Sequence, residues 1–145
     1  NIFHTSSDRE RRISQFLRQQ GASEVLLPDG TTELPGLDSN RRFVHPAGIL
    51  DADVIFVPLE DGDRCEALRR LGRQVITVDL NPLSRTARTA SITIVDNVAR
   101  ALPRLISRVQ QLIDDTNIDR QSLADAYEHE QLLAQAEARI RSGAD

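Results

Sequence analysis

The stretch DLNPLSRTARTASITIVDN, residues 79–97, brings together Asp79, Asn81, Ser84, Arg85, Thr86 and Arg88, with Asp96 and Asn97 close behind. Two arginines among hydroxyl and amide groups are the makings of an anion site, because guanidinium forks donate paired, charge-assisted hydrogen bonds to phosphate or carboxylate oxygens. Arg85 has no acid near it in sequence, which leaves it available for such a partner. Asp79 ends the β-branched run VITVD, and Asp96 ends a second run, SITIVD. Polar segments at the carboxyl ends of strands are where α/β folds place ligands, and an acid there can meet a ribose hydroxyl or simply shape a turn. Asp79 precedes Leu80, Asn81 and Pro82, with no helix to cap, so its carboxylate is expected to be free for a ligand. Asp96 stands where a long helix begins and is expected to cap it whether or not it also meets a ligand. A third segment of this kind, PLEDGDR from Pro58 to Arg64, holds Asp61 and Asp63. Capping of the following helix explains these carboxylates better than a Mg²⁺ site beside a nucleotide.

Other chemistries fail on spacing. Neither G-x-x-x-x-G-K-[ST] nor G-x-G-x-x-G occurs, which removes a P-loop and a dinucleotide fingerprint. His4, His45 and His129 lie far apart and have no ligand at metal-binding spacing, so no metal site is expected. Cys65 falls on the inward face of a helix and reads as a buried structural thiol.

The elements that must position these residues alternate. Ser7 and Glu10 have capping-box spacing, Ile13, Phe16 and Leu17 share a face, and Gly21 is a stop, which predicts a helix from Asp8 to Gln20. SEVLLP is expected to be a short strand, and residues 29–48 a long loop. ADVIFVPLE, an unbroken apolar run, predicts a parallel strand covered on both faces. A helix follows with Cys65, Leu68 and Leu71 inward and Gly72 as its end, then the strands VITVD and SITIVD. From Val98 to Ile113 apolar residues recur at helical spacing, with Pro103 in the first turn or at a kink. A second amphipathic helix is expected from Ser122 to Ile140, suited to packing on a partner subunit. The fold class is α/β: a Rossmann-like three-layer unit with a mainly parallel sheet over residues 1–116, then a helical C-terminal extension over 117–145.

With 145 residues, 39% apolar and 28% charged, the chain can bury a core. A net charge of -4, with four phenylalanines and one tyrosine, argues against a general nucleic-acid binder. No apolar run suggests a membrane span or a signal peptide, and a lone cysteine allows no internal disulfide, so the cytoplasm is the expected location. The sequence contains no methionine, even at position 1, which reads as a fragment or processed piece. All 18 basic residues are arginine, a bias that fits a GC-rich genome or a salt-adapted host.

ADVIFVPLEDGDRCEALRRLGRQVITVDLNPLSRTARTASITIVDNVARALP, Ala52 to Pro103, resembles the archaeal phosphopantothenate synthetases, with PLEDGDR, DLNPLSRTAR and TIVDN in the family's order and spacing. The opening NIFHTSSDRERRI is similar as well, and the resemblance is weakest from Asp29 to Pro46 and in the C-terminal helix. Family members are substantially longer, with an N-terminal half that contributes further arginines and a glycine-asparagine loop. The resemblance implies an AMP-forming ligase that joins 4-phosphopantoate to beta-alanine through an acyl adenylate, using ATP with Mg²⁺ and no protein nucleophile. It implies nucleotide contacts at Asp79, Leu80, Asn81, Arg85, Thr86, Asp96 and Asn97. Substrate contacts are implied at Ser84, Arg88, Asp61 and Asp63, and a homodimer is implied as the assembly. Two other readings stay open: a nucleotide-binding or dimerisation module without turnover, and a ligase or transferase for another phosphorylated acid.

Overall fold

The computed structural model describes residues 6–143, in the order α1 (Ser7–Gln19), β1 (Val54–Val57), α2 (Gly62–Arg70), β2 (Gln74–Val78), α3 (Arg85–Thr89), β3 (Ile92–Ile94), α4 (Val98–Asp114), α5 (Arg120–Asp125) and α6 (His129–Ser142). The strands form one sheet in the order β1-β2-β3. β2 and β3 run parallel, with Ile76 opposite Ile92 and Val78 opposite Ile94. With helices between strands and after the sheet, the architecture is α/β and Rossmann-like, as expected. Among the described residues no helix is long and apolar enough to cross a membrane.

Two compact units are distinguished. The first comprises Asn1–Ile55 with Ala67–Gln74. Its helix α1 is capped at Ser6 rather than at the expected Ser7, and Gly21 closes it with φ 97°. The expected apolar face is not covered: Phe16 is exposed, and the buried residue of α1 is Ser14. SEVLLP is not a strand. Residues 23–28 take no part in a ladder, and propensity without pairing does not make a strand. The long loop is instead well tied. Glu33 and Phe43 form an antiparallel bridge, Leu34 N–H donates to Arg42 O at 2.7 Å and Val44 N–H to Thr32 O at 2.9 Å, and Leu34 and Val44 are buried completely or nearly so. At its start the Asp29 carboxylate accepts from Thr32 Oγ1 at 2.6 Å and from the Thr31 and Thr32 amides. Those bonds, the Thr32 hydroxyl first, hold its carboxyl far below the usual carboxylate range.

The second unit comprises Phe56–Glu66 with Val75–Asp145. Val57, Val75, Val78, Ala87, Ala90, Ala101 and Leu133 are its buried apolar side chains, together with Cys65. Three threonines are buried with them, and each hydroxyl has a partner: Thr77 Oγ1 donates to Val57 O at 2.9 Å, Thr93 Oγ1 to Ala87 O at 2.8 Å, and Thr86 Oγ1 accepts from the Asp61 amide at 3.1 Å. A buried hydroxyl is tolerated only when bonded, so these contacts fix strand, loop and helix against one another.

Three expectations are corrected. β1 alternates exposed and covered positions rather than being covered on both faces, with Val54 55% exposed. Leu71 is exposed, whereas Cys65 and Leu68 are buried as anticipated. The tail is two helices, because Tyr127 leaves the helical path and places its hydroxyl 3.0 Å from the Thr93 amide, which donates to it. Helix α6 then packs against α3 and β3. Pro103 sits inside α4, one turn beyond its start, and only Ala101 of that helix is buried. Leu102, Ile106, Val109 and Ile113 leave an apolar stripe exposed along it.

Candidate functional site

The segments after β1, β2 and β3 are each shaped by an aspartate, and each aspartate is used differently. After β1, the Asp61 side chain accepts the Arg64 amide at 3.3 Å, the bond of a residue that caps α2. Its other oxygen lies 3.7 Å from Arg64 Nε. Asp61 thus caps α2, the role expected of it.

After β2, Asp79 is 8% exposed. One carboxylate oxygen accepts the Asn81 amide at 2.9 Å, and the other accepts the Ser84 hydroxyl. Asn81 repeats the turn by accepting the Leu83 amide at 3.0 Å. Ser84 caps α3, accepting the Ala87 amide at 2.9 Å. The expectation of a free Asp79 carboxylate with no helix nearby is therefore corrected: Asp79 holds the serine that starts α3. The reason is local, since aspartate and asparagine side chains readily capture the amide two residues on. Leu80 and Asn81 remain exposed at the rim.

Arg85 opens α3 and is 56% exposed at its side chain. It is not without an acid, as the local sequence suggested. Its guanidinium lies 2.5 Å from Asp63 and 3.6 Å from Glu66, both on α2. It also rests over Gly62, where a Cβ would come within 2.6 Å of Arg85 Nε. The absence of a side chain at 62 is what allows this approach. Thr86 is fully buried and faces Asp61. Arg88 is exposed, and its guanidinium makes no hydrogen bond or ion pair among the described residues.

After β3, Asn97 rather than Asp96 is the cap of α4, accepting the Ala99 amide at 2.8 Å. The Asp96 carboxylate accepts the Asn97 amide at 2.7 Å and pairs with Arg100 at 2.5 Å and Arg104 at 3.5 Å. The Arg100 hydrogen bond, then the Asn97 amide, hold its carboxyl below the usual range.

The structure thus brings Asp61, Asp63, Thr86 and Arg85 together across two segments, and Asp79 with Ser84 within one. The β2 and β3 ends are joined by the Asp79 amide donating to Ile94 O at 3.1 Å. Glu66 and Gly62 were missed by sequence reasoning; the only available hint was a glycine and an acid near the start of a helix. Among the described residues no group of three or more His, Cys, Asp or Glu could hold a metal ion, and the Asp61 and Asp63 carboxylates already face cations. These residues do not fit a resident Mg²⁺. His4 lies outside the described residues.

Arg85, paired with Asp63 and Glu66, and the exposed Arg88 thus stand on α3 above a loop bonded internally through Asp79 and Ser84. The chain is 43% identical over 143 residues to the 4-phosphopantoate--beta-alanine ligase of Methanosarcina mazei, covering 97% of this chain and 55% of that protein. It is 43% identical over 142 residues to the protein of the same name from Thermococcus kodakarensis, covering 97% and 54%. The chain spans about half the length of these curated relatives. The phosphopantothenate/pantothenate synthetase family model matches residues 1–143, and the chain belongs to that family.

Proposed function

We propose that this chain carries the nucleotide-binding part of an ATP-dependent ligase that condenses 4-phosphopantoate with beta-alanine, releasing AMP and pyrophosphate. The observation that supports it most is Arg85 at the start of α3 above the β2 end, on a loop bonded internally through Asp79 and Ser84. Its relatives carry the name of this activity.

In this reading a carboxylate oxygen of phosphopantoate attacks the α-phosphorus of ATP, the bond to the β-phosphate breaks, and an acyl adenylate forms. The ammonium of beta-alanine gives one proton to solvent, the free amine attacks the acyl carbon, and AMP leaves as the amide forms with release of a second proton. The protein's task is positioning and charge stabilisation. Arg85 exchanges Asp63 and Glu66 for phosphate oxygens. The exposed Leu80 and Asn81 segment meets the nucleoside, and Asn97 with Asp96 borders it at the neighbouring strand end. Asp79, Ser84 and Thr86 act through the loop they hold, as positioning residues. Mg²⁺ arrives bound to the phosphates of ATP as part of the substrate. A homodimer is part of the proposal, with the exposed apolar stripe of α4 as a surface that suits subunit packing.

The test is an assay of AMP release from the intact protein with ATP, 4-phosphopantoate and beta-alanine. AMP formed in step with amide, and absent when either acid or amine is withheld, supports the ligase. ATP binding without AMP release favours a binding module, and AMP release with other acids but not phosphopantoate favours a different substrate.

A further inference from the structure

Beside the loop after β2 lies a concavity of about 390 Å³ lined by residues of opposite charge that do not pair with one another. Pro82, Leu83 and Leu133 give it apolar surface, and Arg88, His129 and Glu130 its polar groups. Its volume is within the range of small-molecule sites. Neither the Arg88 guanidinium nor the Glu130 carboxylate forms an ion pair or hydrogen bond among the described residues, so the two do not bridge to one another. A third charge on the wall, Glu137, is already matched by Arg141 at 2.7 Å. The walls therefore offer one unmatched cation and one unmatched anion.

His129 adds an unmet hydrogen-bonding demand. Its Nδ1 lies 3.0 Å from the Tyr127 hydroxyl, which accepts the Thr93 amide, so the ring is held in place by the sheet. Its Nε2 is buried and has no hydrogen-bond partner among the described residues. Buried polar atoms without partners are uncommon in native structures and are often met by a ligand or an ordered water.

We infer that this pocket is the subsite for the amine substrate: a short amino acid whose carboxylate lies on Arg88 and whose ammonium end is drawn by Glu130. A zwitterion with no net charge matches one free cation and one free anion. A nucleotide or a phosphorylated acid would set several negative charges against Glu130 and Glu137. Location supports the same assignment. Arg88 is three residues beyond Arg85 on the short helix α3, and Pro82 and Leu83 belong to the loop that Asp79 shapes. The concavity thus adjoins the segment proposed to hold the nucleotide. The inference rests on the ligase reading for its ligand, beta-alanine.

The experiment is a steady-state comparison of the intact enzyme with Arg88→Ala, Arg88→Lys and Glu130→Gln, varying each substrate in turn, with melting curves for every variant. Arg88→Ala should raise the KM for beta-alanine about tenfold or more, as expected for loss of a charge-assisted contact. Arg88→Lys should recover part of that loss, and Glu130→Gln should raise the same KM by less. The KM values for ATP and phosphopantoate should stay within about twofold, as expected of contacts confined to the amine. As a readout apart from turnover, the His129 ring resonances should shift with beta-alanine in the presence of a non-reactive ATP analogue and phosphopantoate, and the shift should be lost in Arg88→Ala. An unchanged beta-alanine KM in folded variants, or a rise in all three KM values together, overturns the subsite while leaving the ligase intact. A parent enzyme that releases no AMP with any amine defeats the ligase reading and takes the subsite with it.

Discussion

The ends of β2 and β3 present the same residue type to opposite effect. Asp79 turns inward and gives its oxygens to an amide and a hydroxyl, so its charge is spent on the shape of a loop. Asp96 faces Arg100 and Arg104 and leaves capping to its neighbour Asn97. The first aspartate has neutral donors and little exposure; the second has cationic partners at the surface. An acid at a strand end therefore needs no ligand to explain it, and its neighbours decide whether it builds backbone geometry or neutralises a helix. Beyond the turn at the β2 end stand two arginines, Arg85 paired with acids of α2 and Arg88 exposed.

That contrast can be broken most forcefully at Asp79. Asp79→Ala strands the Asn81 amide and loosens the cap of α3, and should cost about 2–3 kcal/mol of folding free energy, read by urea denaturation. A loss under about 0.5 kcal/mol, the size of an ordinary surface change, would mean that the carboxylate is not structural. Asn97→Ala, which removes the cap of α4, should cost about 1 kcal/mol in the same measurement, more than Asp96→Asn at neutral pH. The difference between Asp96 and Asp79 is sharpened by pH. Because the Asp96 carboxyl is held below its ordinary value of 3.8, it contributes stability that is present above that value and is lost as pH falls through the lower folded value. In Asp96→Asn that part of the acid limb of the stability curve should be missing, and an unchanged acid limb would contradict the pairing. The smallest effect on folding is expected at Gly62. Gly62→Ala meets only the mobile end of Arg85, so the melt should barely move while ATP binding weakens; a collapsed melt would show that the glycine serves the backbone instead.

Much of this was legible in the sequence because it is local. The β-branched runs ending at Asp79 and Asp96 place β2 and β3 correctly, and the helical spacing after Asn97 gives α4. What was not legible depends on partners distant in sequence. SEVLLP has strand-forming residues but joins no ladder, and the tail breaks where Tyr127 reaches back to Thr93. Arg85 looked unpaired because Asp63 and Glu66 arrive from α2. Even a one-residue difference matters at a helix start, where Asp96 and Asn97 are equally good caps by type and only the geometry separates them.

The central claim, that Arg85 on the loop after β2 binds the phosphates of ATP, is tested by calorimetric titration of ATP into the intact protein and its Arg85→Ala variant, alongside their melting curves. The ion pairs of Arg85 are half exposed and should carry little stability, so the melt should move by no more than about 0.5 kcal/mol equivalent. ATP affinity should fall about 10- to 100-fold, the range for a lost charge-assisted contact. Equal ATP affinity in parent and variant, with both folded, would contradict the account.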